Sequence, residues 1–257
     1  MTTYYQEVFG RFPITASSKD FAVGASALAL TVGNYYIRGY SSESTAQLVE
    51  HMQAVIRAIG AGQDASTVTY SSSTGLVTID LETAATLTFT DAALATILGF
   101  TGSPYGSATR FTAERKPRYV WRPTDPMMEC DTQPLTPFGP VGTSRVYRSQ
   151  DGSMCSVDGV TVLYDCRSLA WQALPQADVL KNSAGADYRS YEEFWEDIIA
   201  RGRPMRFYPD RTANASTSFT TCVYGAEQPG AFADAASKTI APYLGYWRVS
   251  LPLWKVA

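Results

Sequence analysis

Apolar positions recur at helical spacing in three places along the chain and alternate in short runs almost everywhere else. In the first, Leu48, Met52, Val55, Ile56 and Ile59 fall on one face of a helix, Ser44 with Gln47 offers a capping box, and Gly60-Ala61-Gly62 ends the element. A shorter helix is predicted over 92–98, capped by Thr90 or Asp91 and stopped by Gly99. The third helix lies in the most complete local unit, Ser190 to Asp210. Ser190 and Glu193 form a capping box, and Phe194, Trp195, Ile198 and Ile199 make an apolar stripe. Gly202 takes the C-terminal cap, Pro204 forbids continuation, and Met205-Arg206-Phe207-Tyr208 restarts as a strand.

The remaining apolar runs read as strands. Residues 12–15, 21–23, 27–32 and 35–40 are short and separated by Ser17-Ser18, Gly24 and Gly33-Asn34, and the Gly-Asn pair is a hairpin signal. Leu28, Leu30 and Val32 alternate, which gives that strand one buried face. Residues 68–70, 76–81 and 87–89 follow, the first two joined by a turn at Ser72-Ser73-Thr74-Gly75. Further strands are predicted at 145–147, 160–164, 169–174, 205–208, 218–224 and 243–256, with turns at Asp151-Gly152 and Asp158-Gly159. In the last strand Trp247, Val249, Leu251 and Leu253 share one side, and Pro252 points to a sheet edge or a bulge.

Between 123 and 143, Pro123, Pro126, Pro134, Pro137 and Pro140 fall with Gly139 and Gly142, a density that regular structure does not tolerate. The chain therefore divides into an N-terminal domain over 1–122, a Pro-rich linker or arm over 123–143 and a C-terminal domain over 144–257. The fold class is α+β and β-rich: two domains, each of antiparallel sheet with one or two packed helices.

Composition changes this picture little. At 257 residues and 45% hydrophobic, the chain can bury a sizeable core. A net charge of −3 gives no general reason to bind nucleic acid, and no apolar run reaches the length of a membrane span. MTTYYQEVFGRF lacks the pattern of a secretory signal, so the four cysteines are expected as reduced thiols.

Candidate chemistry is sparse. The four cysteines form no CxxC pair and His51 is the single histidine, which argues against a zinc site. His51 has no nucleophile motif near it and reads as a boundary residue of its helix. Lys116 to Arg122, KPRYVWR, is either an electropositive contact or an exit strand with Val120 buried and its cations solvated; the second suits a chain without a wider basic field. Glu192, Glu193, Glu196 and Asp197 crowd one helix. They could serve glycoside hydrolysis, but Arg189 and Arg201 lie at the spacing of ordinary helix-surface pairs. No catalytic residue, cofactor or metal ligand is therefore assigned. Trp121, Trp171, Trp247 and Trp254 are the candidate interface anchors.

Two regions carry a resemblance. TAQLVEHMQAVIRAIG, STVTYSSSTGLVTIDL and TLTFTDAALATILGFTG, within 45–102, resemble a helix-then-hairpin module of phage and other viral structural proteins. YEEFWEDIIARGRPMRFYPDRT at 191–212 and YWRVSLPLWKV at 246–256 resemble distal-tail and related baseplate-ring proteins of tailed bacteriophages. The resemblance implies a non-enzymatic virion component, made in the host cytoplasm. It would be a homo-oligomeric ring contacting other tail proteins (tube, hub, fibres), with neither nucleic acid nor membrane as partner. A neck or fibre-attachment protein, or a tail-associated glycan-binding or glycan-cleaving protein, are the alternatives.

Overall fold

The computed structural model describes residues 6–38, 47–60, 62–123, 139–141, 145–148, 154–157, 164–181, 190–211, 220–224, 232, 236–238 and 246–255. It is β-rich, with antiparallel sheets and a few helices.

The chain starts in one sheet, leaves it, and returns beside its starting strand. β1 (Glu7–Gly10) is followed by β2 (Phe12–Ile14), β3 (Asp20–Val23), β4 (Ser26–Ala29) and β5 (Gly33–Tyr35). Then come α1 (Leu48–Arg57), β6 (Thr67–Tyr70), β7 (Val77–Phe89), α2 (Ala92–Leu98), β8 (Tyr105–Thr112) and β9 (Val120–Trp121). β9 lies antiparallel to β1, pairing Val8 with Trp121 and Phe9 with Val120. The described residues between them form a separate module around a five-stranded sheet in which β3, β6 and β8 pair with β7 and β4 pairs with β3.

The rest of the chain completes the first sheet. It supplies β10 (Gly139–Val141), β11 (Arg145–Arg148), β12 (Met154–Val157), β13 (Tyr164–Leu174), α3 (Gln176–Val179) and α4 (Tyr191–Phe194). A π-helical turn, Trp195–Ile199, continues α4 and leads to β14 (Met205–Tyr208), β15 (Thr220–Tyr224), β16 (Ala236–Lys238) and β17 (Trp247–Lys255). The eight-stranded sheet runs β10-β13-β17-β15-β14-β1-β9, with β16 on β17, while β11 and β12 pair antiparallel as a separate two-stranded sheet.

This topology corrects the division at 122. β1 and β9 hydrogen-bond into the sheet built by the C-terminal half, so residues 11–119 are an insertion between two neighbouring strands. The Pro-rich stretch also contributes to that sheet, because Gly139–Val141 pairs with Tyr164–Cys166. The remainder of that stretch, 124–138 and 142–143, lies outside the described residues, as do Ser44, Asp151-Gly152 and Asp158-Gly159.

Side chains alternate across a strand, so β1, β9 and β14 each serve two cores. Phe9, Val120 and Tyr208 join the module core, with Phe12, Leu48, Met52, Ile79 and Leu98. Val8, Trp121 and Phe207 face the other way, against Trp171, Tyr191, Phe194, Ile198 and Leu251. α4 and its π turn lie close on β1: a Cβ on Gly10 would occupy the space of the Ile198 side chain.

Local expectations meet mixed outcomes. The Ser190–Glu193 capping box is present, and the stripe Phe194, Trp195, Ile198, Ile199 is buried. Gly99 and Gly202 end their helices at φ +91° and +60°. The π turn was not legible; in it Ala200 N–H donates to Trp195 O at 2.8 Å, five residues back. α1 begins at Leu48 with Gln47 as its cap residue, and the Gln47 side chain makes no capping bond. Asp91 occupies the cap position of α2, but its carboxylate accepts from Lys19 N–H (2.9 Å) and Asp20 N–H (2.8 Å), tying the helix to β3.

Four strand expectations are overturned. Gly33-Asn34 is not a hairpin turn but part of β5, paired with Ile14 and Pro13 of β2. The alternation of Leu28 and Leu30 stops before Val32, which is 58% exposed. Residues 76–81 and 87–89 are one thirteen-residue strand, because β8 follows β7 from Thr78 to Leu87. On its other flank Gln63 donates to Thr83 O at 3.0 Å and Glu82 N–H donates to Ser66 Oγ at 3.0 Å, where no strand pairs. Pro252 lies within the sheet, opposite Ser168 of β13. On the flank away from β13, β16 pairs with 247–249 and β15 with 253–255. Pro252 thus occupies the gap between those two partners, where a missing donor breaks no ladder.

Candidate functional site

The same alternation that splits the cores brings a set of charged groups between the large sheet and the inserted module. Glu7 shares the face of Phe9, Arg122 that of Val120, and Arg206 that of Tyr208. Tyr36, Arg38 and Tyr70 approach from the module. Glu7 is completely buried, and Arg38, Arg122 and Arg206 are nearly so.

The Glu7 carboxylate accepts a hydrogen bond from the Tyr70 hydroxyl. Two guanidinium groups stand off at ion-pair distance, Arg122 Nη1 at 3.6 Å and Arg38 Nη1 at 3.8 Å. Both are held by backbone carbonyls. Arg122 Nη2 donates to Ser72 O at 2.5 Å and Ser73 O at 2.7 Å, in the turn between β6 and β7. Arg38 Nη1 donates to Arg211 O at 3.0 Å and its guanidinium lies 4.9 Å from the Tyr208 ring centre. Arg206 stacks on Tyr36 at 4.1 Å.

Burial dominates the electrostatics. It raises the Glu7 carboxyl from the ordinary 4.5 to about 7, against the opposing pull of Arg122, the Tyr70 hydrogen bond, Arg38 and Arg211. The two arginines fail to offset the lost hydration because neither hydrogen-bonds the carboxylate. Burial, and then the Glu7 charge, push the Tyr70 phenol well above its usual value, so it stays a donor. Such a cluster couples one proton to the seating of the module on the sheet. Its members come from both bodies and fix the geometry of one against the other.

A second ion pair spans the same two bodies. Arg118, at the module's exit, meets Asp197 in the π turn through two bonds, Nε to Oδ2 at 2.7 Å and Nη2 to Oδ1 at 3.0 Å. KPRYVWR is thus an exit strand with Val120 buried, as expected, but two of its cations are not simply solvated, because Arg118 and Arg122 pair with carboxylates of the same chain. The acidic helix is also more than a solvated face. Glu193 closes the capping box, Glu192 accepts from Lys181 N–H at 2.7 Å, Glu196 pairs with Lys181 at 2.9 Å, and Asp197 is buried.

The tryptophans require correction as surface anchors. Trp121 and Trp171 are interior, packed edge to face at 4.7 Å, and Trp121 Nε1 donates to Asp178 O at 3.2 Å. Trp247 is half-buried, and the Trp254 side chain lies outside the described residues. The large exposed apolar side chains among the described residues are Val32 and Tyr246. His51 sits at a boundary, its Nε2 accepting from Thr31 N–H at 2.9 Å and its ring stacked on Tyr35, and burial lowers its pKa. Cys222 is a buried free thiol pushed up to about 12, which suppresses the thiolate.

The polar cluster was missed because its members come from five separate stretches. The available signal was Glu7 itself, a charge at strand spacing from Phe9 on the buried face.

Among the described residues, no group of three His, Cys, Asp or Glu side chains is arranged to hold a metal ion, and no helix is long and apolar enough to cross a membrane. No family model, curated protein or solved structure matches the chain.

Proposed function

We propose that this chain is a structural component of a bacteriophage tail or baseplate, forming an oligomeric ring that joins the tail tube to the tip or fibres. The reading rests on the likeness of 191–212 and 246–256 to distal-tail and baseplate-ring proteins. One observation carries it further. These two stretches, far apart in sequence, belong to one unit: β14 and β17 flank β15 in the same sheet, and the Tyr191 hydroxyl donates to Ser250 O at 3.1 Å. A rigid sheet with a helix seated on it, and a module latched to its side by buried ion pairs, suits a part assembled in many copies, because pre-organised subunits lose little entropy on docking.

Electron microscopy of intact particles carrying an epitope on this chain tests the proposal. The label is expected as a ring at the distal end of the tail tube. A label on the capsid or neck, or particles that lack the chain, would overturn it.

A further inference from the structure

The inserted module's sheet ends in two strand edges of opposite direction. β3 and β8 lie on opposite flanks of β7, because Leu87 pairs with both Val23 and Tyr105. β4 lies outside β3, so the strands run β4, β3, β7, β8, each antiparallel to the next. β4 and β8 are therefore antiparallel to each other.

The backbone shows which groups each edge turns outward. Ala113 N–H donates to Val77 O and Leu30 N–H to Lys19 O, both at 2.9 Å. Bonding alternates along an antiparallel pair, so Phe111 and Leu28 also turn their backbone groups toward β7 and β3, while Arg110, Thr112, Ala27 and Ala29 turn theirs away. These four residues are exposed, and their outward groups have no other backbone partner among the described residues. β8 has eight residues with neither lysine nor proline, the usual guards of a free edge.

We propose that copies of this chain join head to tail, the β8 edge of one pairing antiparallel with the β4 edge of the next. A rotation that keeps strand direction presents those two edges to each other in antiparallel sense, and contacts of this kind close rings. With Arg110 opposite Ala29 and Thr112 opposite Ala27 of the next copy, every outward group of these residues finds a partner. The same register sets Phe111, buried in the module core, beside Leu28, which packs against that core, so the apolar face runs on across the joint. β8 paired with β8 of another copy would set Arg110 opposite its equivalent or diagonal to it, whereas Ser26–Ala29 carries no charge. The proposal names a joint for the ring proposed above and rests on that reading.

The test oxidises the purified full chain carrying Ala27→Cys and Thr112→Cys. Residues so paired have Cα atoms about 5.5 Å apart, within reach of a disulfide. A ladder of cross-linked multimers is expected from the double variant, and no more cross-linking than wild type from either single variant. In sedimentation, Arg110→Pro should weaken self-association by about tenfold, by removing one outward donor and no bond to β7. Circular dichroism checks that this variant folds, and the cysteine test decides if it does not. No ladder, dimers from Thr112→Cys alone, or unchanged association of folded Arg110→Pro would overturn the proposal. Wild-type multimers without a ladder would sink this joint and leave the ring reading to the particle label.

Discussion

Arg118 and Asp197 make a two-bond ion pair across the joint between the inserted module and the π turn of the large sheet's helix, at 2.7 and 3.0 Å. The Asp197 side chain is 12% exposed and that of Arg118 40%, so water screens one end of the pair and not the other. Asp197→Asn should therefore destabilise the protein by about 1–2 kcal/mol, less than a fully buried pair would lose. In a denaturant double-mutant cycle with Arg118→Ala, the two losses should fail to add by about 1 kcal/mol. Simple additivity would show that the pair carries no coupling.

Glu7 predicts a pH dependence of defined sign. Its carboxyl is protonated up to about pH 7 in the folded chain but only to the ordinary carboxylate range, near 4.5, when unfolded. The folded state therefore holds the proton more tightly between those values. The resulting stability is complete below about pH 4.5, declines as pH rises through about 7, and is gone above it, for a total of about 3 kcal/mol. Urea midpoints of wild type and Glu7→Gln should converge at low pH and separate toward neutrality, with the variant the more stable at pH 8. Parallel curves at all pH values would refute this assignment.

Gly99 predicts a steric failure. It ends α2 at φ +91°, and a Cβ there would strike the Arg115 carbonyl. Gly99→Ala should cost about 2 kcal/mol or more, from left-handed backbone strain together with the clash. Thermal melting measures it, and an unchanged midpoint would mean that the loop at 115 yields freely.

Trp121 separates a core role from a contact role. It is wholly buried against Trp171 and Tyr191. Trp121→Phe should cost about 2–4 kcal/mol, from the void and from the lost bond to Asp178 O. Tyr246→Ser, at a site 43% exposed, should change stability by no more than about 0.5 kcal/mol. Denaturant unfolding of both variants decides, and the reverse order would return Trp121 to the surface.

Local chemistry was readable from the chain alone wherever neighbours in sequence are neighbours in space. Ser190 with Glu193, the stripe from Phe194 to Ile199, the stop at Gly202 and the buried side of β17 all follow from helical or strand spacing within one segment. The β-rich α+β class follows from the same patterns, since short alternating runs outnumber helical ones. Tertiary structure decided what spacing does not encode, namely which strand lies beside which. Backbone hydrogen bonds do not depend on side-chain identity, so nothing in EVFG announces that it will sit between β14 and β9. That placement turned an apparent N-terminal domain into an insertion. It moved Trp121 from the surface to the interior and set Glu7 opposite arginines more than thirty and more than a hundred residues away. A charge on an apolar face is visible in the sequence; its partners exist only once the sheet has closed.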